Sequence, residues 1–383
     1  MRERPWQIGI VGTFDLDNYG DLLFPLIAEA ELRRRLGDVT LHRFSYRARS
    51  WPYQVTSVAD LPKIAPSLDG LLIGGGFLIR FDKDVAPGYF PPSPYIHHPT
   101  GYWLAPALVA LQSGVPVIWN APGTHLTDVP PWARPLLELA LTQSRYIAVR
   151  DEPSRETLSA FVARERISVV PDTGFGIARL LGSERSPELE ELRRVAGITK
   201  PYVIVQAAES MLPVAALLRA LPGHQVVVLP IGLILHEDPG MFGDGFVQVP
   251  FWPHPLLLAE LIREAEGVVG HSYHLAITAL VTGVPVFTWM DLSRGKFTAL
   301  RQFETIHPLP TSRDAFVAKL GRKTPVQLDV DAHWDRVVGA IVEDEAPTAQ
   351  EALGCFWQSL PTLLEAATAA PAAPRGFFRR RRS

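Results

Sequence analysis

Cysteine is almost missing from this chain: Cys355 is the one example in 383 residues. That excludes an internal disulfide and any thiolate metal cage, and it fits a reducing compartment. Long apolar runs are missing too, none approaching the roughly 20 residues of a membrane span. The first residues, Met1 to Gln7, lead straight into a strand without the apolar core of a signal peptide. A cytoplasmic protein is expected. There is no excess of charge of either sign: 37 Lys and Arg stand against 40 Asp and Glu, for a net charge of −3. Neither nucleic acid nor an acidic partner is indicated, and the basic residues are dispersed except at the last few positions. The chain has no Gly-x-Gly-x-x-Gly fingerprint, no Walker loop and no Gly-x-Ser-x-Gly elbow. It also shows no internal repeat.

What the chain does have is apolar substance in alternation. A hydrophobic content of 47% supports a sizeable core, and the length suggests two or three domains. Strands are expected at 7–11, near 39–44, and at 71–73, 115–119, 146–149 and 167–170. Between them lie helical patterns, the first with Leu22, Leu23, Leu26, Ile27 and Ala30 on one face and Gly37 as its stop. Residues 81–101, rich in Pro, Gly, Tyr and His, read as a long loop over a site. The charged, loosely helical stretch 183–200 reads as a linker, after which the alternation restarts with strands at 202–205, 225–229, 246–249 and 268–269. Helical patterns at 313–320 and 333–343 follow. Two successive βα series predict an α/β protein of two Rossmann-like domains, 1–182 and 201–345, facing each other across a cleft. A helical segment at 346–365 and a disordered basic tail at 366–383 complete the expected plan. The tail, with Phe377, Phe378 and five arginines, is either a solvated end or a weak membrane-surface tether, each arginine contributing about 1 kcal/mol near anionic lipid. Liposome flotation with and without residues 375–383 decides between the two.

Several stretches hold more polar chemistry than their fold requires. From Gly267 to Met290 the pattern is strand, polar turn, helix and strand, and a βαβ unit needs no His271-Ser272-Tyr273-His274 at its turn. That turn lies at the carboxyl end of a strand and the start of a helix, where free N–H groups favour anions. Asn18-Tyr-Gly20-Asp21 follows the first strand, and Gly74-Gly75-Gly76 follows Leu71-Leu-Ile73. Val149 delivers Arg150-Asp151 to a strand tip, and Val170-Pro171-Asp172 ends the next strand. His271 and His274 stand at i, i+3, but no third ligand stands at a recognised spacing, so no metal is expected.

Taken in order, these stretches resemble the polysaccharide pyruvyl transferase family. Asn18-Tyr-Gly20-Asp21 is similar to its opening Asn-x-Gly-Asp motif, and Gly74, Gly75 and Gly76 to its glycine triplet. Arg150-Asp151-x-x-Ser154 and Val170-Pro171-Asp172 resemble its Arg-Asp-x-x-Ser and Val-x-Asp motifs. Ser272-Tyr273-His274 ahead of Gly283-Val-Pro285 resembles its Ser/Arg-Leu-His…Gly-x-Pro motif, and Lys296 stands where the family often carries a lysine. Many members have arginine where this chain has Ser272, so a cationic contact to the donor must come from elsewhere, or the donor differs.

The resemblance implies a fold similar to the two-domain glycosyltransferase B type. It also implies transfer of a pyruvyl group from phosphoenolpyruvate to sugar hydroxyls as a ketal, with release of phosphate. No cofactor beyond this donor is implied, and the acceptor would be a glycan or a lipid-linked sugar. Such chemistry needs cations, a general acid and a base. His274 is the candidate acid or phosphate contact, against a capping role, and His271 faces the cleft with less support. Ser272 is a phosphate ligand or an N-cap. Arg150 forks onto phosphate or carboxylate, or pairs with Asp151 or Asp172. Asp21 is a base for the acceptor hydroxyl or a helix cap, and Lys296 neutralises a ligand anion or is an ordinary surface lysine. Asn18, Gly20, Gly74, Gly75 and Gly76 are expected at the substrate-binding site, the glycines marking the cleft wall more through backbone shape than through contact. Two other readings keep the fold: a nucleotide-sugar-dependent glycosyltransferase, and a non-catalytic glycan-binding member.

Overall fold

Short apolar runs bounded by glycine, proline or polar residues are too brief for helices and become strands. In the first half these are β1 (Trp6–Val11), β2 (Val39–Ser45), β3 (Thr56–Ser57), β4 (Gly70–Gly74), β5 (Val117–Asn120), β6 (Tyr146–Val149) and β7 (Ile167–Val169). In the second they are β8 (Tyr202–Gln206), β9 (Gln225–Leu229), β10 (Val247–Gln248), β11 (Gly267–Val269), β12 (Val286–Thr288) and β13 (Ile306–Pro308). The computed structural model describes residues 4–82, 98–125, 129–219, 221–232, 237–249, 251–343 and Gln358. Most of the expected site loop (83–97), the 346–365 segment apart from Gln358, and the 366–383 tail lie outside these residues.

The strands form two sheets, in the orders β3-β2-β1-β4-β5-β6-β7 and β10-β9-β8-β11-β12-β13. Every pairing is parallel. Strand order reverses at β1 in one sheet and at β8 in the other, which opens a crevice beyond the carboxyl ends at each switch point. The loops leaving β1 and β4, and those leaving β8 and β11, therefore carry Asn18 to Asp21, Gly74 to Gly76, Gln206 and His271 to His274 into these crevices. Two Rossmann-like domains facing across a cleft is the architecture observed.

Helix Tyr19–Leu36 of the first domain and helix Tyr273–Val281 of the second both pack on the 3₁₀ segment Thr173–Leu180. One apolar core runs through both, from Ile27 and Ala28 to Ala276, Ile277 and Leu280. Within it the Tyr19 and Thr278 hydroxyls share a buried hydrogen bond of 2.8 Å.

Two segments differ from their sequence reading. Residues 183–200 contain a packed helix, Pro187–Ala196, capped by Ser186 at its start and by a left-handed Gly197 (φ 71°) at its end. Its Leu189 and Leu192 are buried, and it lies against helix Pro255–Glu264, as part of the second domain. Helix Asp331–Val342, grouped by sequence with 201–345, crosses back and covers the first sheet. His333 bridges Asn120 Oδ1 (2.8 Å from Nε2) and the Tyr146 hydroxyl (3.2 Å from Nδ1). Burial, then the charges of Arg35 and Arg336, hold this imidazole down at about 3, so it packs as a neutral group. At the start of the same helix Asp331 accepts from Arg35 at 2.6 Å and from Arg179 at 2.6 Å. Among the described residues no helix is long and apolar enough to cross a membrane.

Candidate functional site

The two crevices meet in a shared cavity of about 320 Å³. Asn18, Asp21, Gly76, Arg150, His271, Ser272, His274 and Lys296 all line it. Gly20, Gly74 and Gly75 stand behind the lining. A Cβ on Gly74 would meet the Asn120 carbonyl oxygen at 2.5 Å, and one on Gly75 (φ +82°) the Phe24 ring at 2.3 Å. These two glycines admit neighbours rather than a ligand.

Arg150 leaves the tip of β6 and is 3% exposed. Its Nη1 donates to Asp172 Oδ2 at 3.2 Å, and its Nε lies 3.4 Å from Asp151 Oδ2 as an ion pair. Nε and Nη2 are nevertheless buried without a hydrogen-bond partner. Aromatic faces hold the guanidinium flat, Phe77 at 5.0 Å and Tyr273 at 5.4 Å from its carbon. Glycine at 123 makes the room, since a Cβ there would stand 2.5 Å from Nε. Lys296, on the 3₁₀ turn Gly295–Leu300, points its ammonium at Phe77 (5.8 Å), Tyr273 (5.6 Å) and Phe297 (5.2 Å). Burial and the neighbouring Arg150 charge pull its pKa down to about 8, against the pull of Asp21 and Asp172.

His274 projects from the first turn of helix Tyr273–Val281, over Gly20 and edge-on to Phe24, with ring centroids 5.2 Å apart. Its Nε2 stands 3.7 Å from Asp172 Oδ1 and makes no hydrogen bond. Burial alone would raise the Asp172 carboxyl. The His274 imidazole, the Arg150 guanidinium and the Gly174 N–H outweigh it and hold Asp172 at about 2, so this carboxylate is ionised. Asp21 has the opposite balance: burial raises its carboxyl above the usual range, although His274, Thr13, Lys296 and Arg150 all oppose the shift. The Asn18 amide donates to its Oδ2 at 3.0 Å. Two carboxylates whose surroundings push them apart, with an imidazole between, are suited to moving protons at neutral pH.

Ser272 caps its helix, its Oγ accepting from the Leu275 N–H at 3.5 Å. The free N–H groups expected at this turn are partly taken, because Gln206 Oε1 accepts from His271 N at 2.8 Å and from Ser272 N at 3.0 Å. Gln206 in turn donates to Glu237 Oε1 at 2.5 Å, and Glu237 Oε2 accepts from the Ile231 and Gly232 N–H groups. Gly232 bridges to Asn18, and the Ile231 carbonyl accepts from Tyr19 N at 2.9 Å. A buried amide–carboxylate pair thus fixes the histidine turn and the asparagine loop to one another. Neither residue was singled out from sequence. Their signal was slight: a lone glutamine ending the apolar strand Tyr202–Val205. Thr13, Phe77, Arg80, Tyr273 and Phe297 also line the cavity without having been singled out for it.

This pair makes a direct test. Gln206→Glu sets two carboxylates against each other, and is expected to destabilise the fold by at least about 2 kcal/mol in urea unfolding. Adding Glu237→Gln exchanges the partners, returns a donor to the pair and is expected to restore most of that loss. A double variant no more stable than the single one would mean that the two side chains are not coupled.

Residues 18–293, well over half of the chain, match the family described as polysaccharide pyruvyl transferase. No curated protein matches the sequence. Among solved structures, the UDP-GlcNAc 2-epimerase from Methanocaldococcus jannaschii aligns with a TM-score of 0.52 at 11% identity, covering 93% of this chain and 99% of that one. A second UDP-N-acetylglucosamine 2-epimerase aligns with a TM-score of 0.50 at 11% identity, covering 98% and 100%. At such identities the likeness is one of fold: two Rossmann-like domains in the glycosyltransferase B arrangement. The family match spans the motifs from Asn18 to His274 that meet in the cavity, and the chain belongs to the polysaccharide pyruvyl transferase family.

Proposed function

We propose that the cavity binds phosphoenolpyruvate and that the protein transfers its pyruvyl group, as a ketal, to a sugar of a polysaccharide or of its lipid-linked precursor. The observation that carries this reading is the pair of buried Arg150 N–H groups left without a hydrogen-bond partner in the protein, on a residue that lines the same small cavity as Lys296. Buried donors are normally satisfied, so such a pair is suited to an anionic ligand. Phosphoenolpyruvate carries two anionic groups, one for each cation. This arrangement also supplies the charge that an arginine in place of Ser272 would give.

In this reading His274 donates a proton to the methylene carbon as a first sugar hydroxyl oxygen bonds to the adjacent carbon. Asp21 accepts that hydroxyl's proton, and Asp172 stabilises the charged imidazole. The bond to the phosphate oxygen then breaks with its electron pair. A second hydroxyl of the same sugar takes the vacated place, and its proton leaves with the phosphate. Isotope-labelled phosphoenolpyruvate incubated with glycan acceptors tests the whole: label and phosphate are expected to appear together in equal amounts. Release of a nucleoside diphosphate from a nucleotide sugar, with no label transferred, would assign the fold to glycosyl transfer instead.

Lys296 gives this reading a pH signature. With its pKa near 8, the ammonium is charged below that pH and progressively neutral above it. A bound dianion favours the charged form, so donor affinity is expected to fall as pH rises through about 8, with proton uptake on binding above it. Titration calorimetry in buffers of different ionisation enthalpy measures that uptake, which Lys296→Met should remove. An affinity that stays flat across this range would take Lys296 out of the donor site.

A further inference from the structure

The cavity opens sideways. Past His271 and Lys296 lies a second recess of about 490 Å³, walled by Phe77, Trp289, Met290 and Phe297 with Arg294 at its rim. Phe77, His271, Lys296 and Phe297 border both spaces, so a molecule in one is in reach of a molecule in the other. Trp289 leaves the end of β12 and is 56% exposed, more than any other large apolar side chain among the described residues. One side of its indole lies near His271, with ring centroids 5.1 Å apart and planes inclined by 33°. An exposed indole at the mouth of a functional cavity marks a place where a ligand covers it.

We propose that this recess is the acceptor subsite, and that Trp289 is the platform on which one pyranose ring stacks with two of its hydroxyls turned past His271 toward the donor. The inference rests on the donor reading of the adjoining cavity. A pyranose has apolar C–H faces and polar edges, and the recess has the matching shape: an aromatic wall along one side and a polar opening at one end. Ketal formation requires two hydroxyls of a single ring to reach one carbon. The ring must therefore present an edge to the donor, which stacking on a wall beside the opening achieves. His271 borders that opening, and its Nδ1 is buried without a hydrogen-bond partner. Burial and the Lys296 charge lower this imidazole's pKa, so at neutral pH it is uncharged and able to accept from a sugar hydroxyl.

The probes are methyl glycosides of hexoses and N-acetylhexosamines together with their octyl counterparts. Binding is read by saturation-transfer NMR, and acceptor KM by label transfer from phosphoenolpyruvate. At least one glycoside is expected to bind wild type through its ring protons. Trp289→Ala is expected to weaken that binding and raise acceptor KM about tenfold or more, while donor affinity and melting temperature hold. Trp289→Phe should recover most of the loss. Pyranoside binding that depends on Trp289, without any use of phosphoenolpyruvate, would keep the platform and remove the donor reading. Label transfer with an acceptor KM indifferent to Trp289→Ala would keep the donor reading and overturn the platform. Failure of every glycoside to bind, or saturation of octyl protons alone, overturns it as well, the latter in favour of the lipid chain of a carrier.

Discussion

Gly20→Ala is expected to cut turnover by about 10²-fold or more without removing any group that reacts. A Cβ at position 20 would stand 1.9 Å from His274 Nδ1 and 2.4 Å from its Cγ, far inside contact distance. The imidazole has little room to yield, since Phe24 meets it edge-on at 5.2 Å and Tyr273 at 5.4 Å. The new methyl must displace the ring or push apart the two helix starts that carry Gly20 and His274. Overpacking of this kind costs about 1–3 kcal/mol. Phosphate release and thermal unfolding measure the two effects. In a His274→Ala background the same substitution should leave the melting temperature unchanged, because the clash is gone. Normal turnover in the single variant would show that the imidazole works from some other position.

Arg150→Lys carries the second large effect. Lysine keeps the charge beside Asp172 but lacks the planar fork, and with it the two buried N–H groups that have no hydrogen-bond partner in the protein. Hydrogen bonds to charged groups contribute about 1.5–3 kcal/mol each. Losing two is expected to lower affinity for phosphoenolpyruvate by roughly 10²-fold or more. The fold should tolerate the change, because Asp172 retains a countercharge. Arg150→Met, which takes the guanidinium away from that buried carboxylate, is expected to destabilise by about 3–5 kcal/mol. Calorimetric titration with the donor and urea unfolding separate the two outcomes. A lysine variant that binds phosphoenolpyruvate as tightly as wild type would make the guanidinium a structural partner of Asp172 and nothing more.

What was legible from the chain follows from contrast. Asn18, Asp21, Arg150 and His274 are polar residues at the ends of apolar strands or the starts of helices, and nothing in a βαβ unit requires them there. The βα alternation foretold parallel sheets. Lys296 was legible through the family resemblance alone, being one lysine in a polar loop. The aromatic cage was hidden, since Phe77, Tyr273 and Phe297 are residue types that cores also bury. Gly123 gives no sign of its role, because the side chain it makes room for lies on another loop. Leu189 and Leu192 are outnumbered by charge in their own helix, which made it look like a linker. Helix Asp331–Val342 shows which of its faces is apolar, but periodicity carries no information about which sheet that face will cover.

That returning helix has a mechanical result. The chain passes from the first domain to the second after Leu180 and comes back before Asp331, so two backbone crossings join the halves instead of one. A single tether would permit swing, twist and slide. The two crossings lie side by side, since Arg179 donates to Asp331 at 2.6 Å, and a doubled connection resists twist and slide more than a single strand does. Arg35 and Arg179 both donate to Asp331 and clamp the returning chain where it meets the first domain. With the shared apolar core and the Tyr19–Thr278 hydrogen bond also joining the halves, His274 and Arg150 are held in one mutual register.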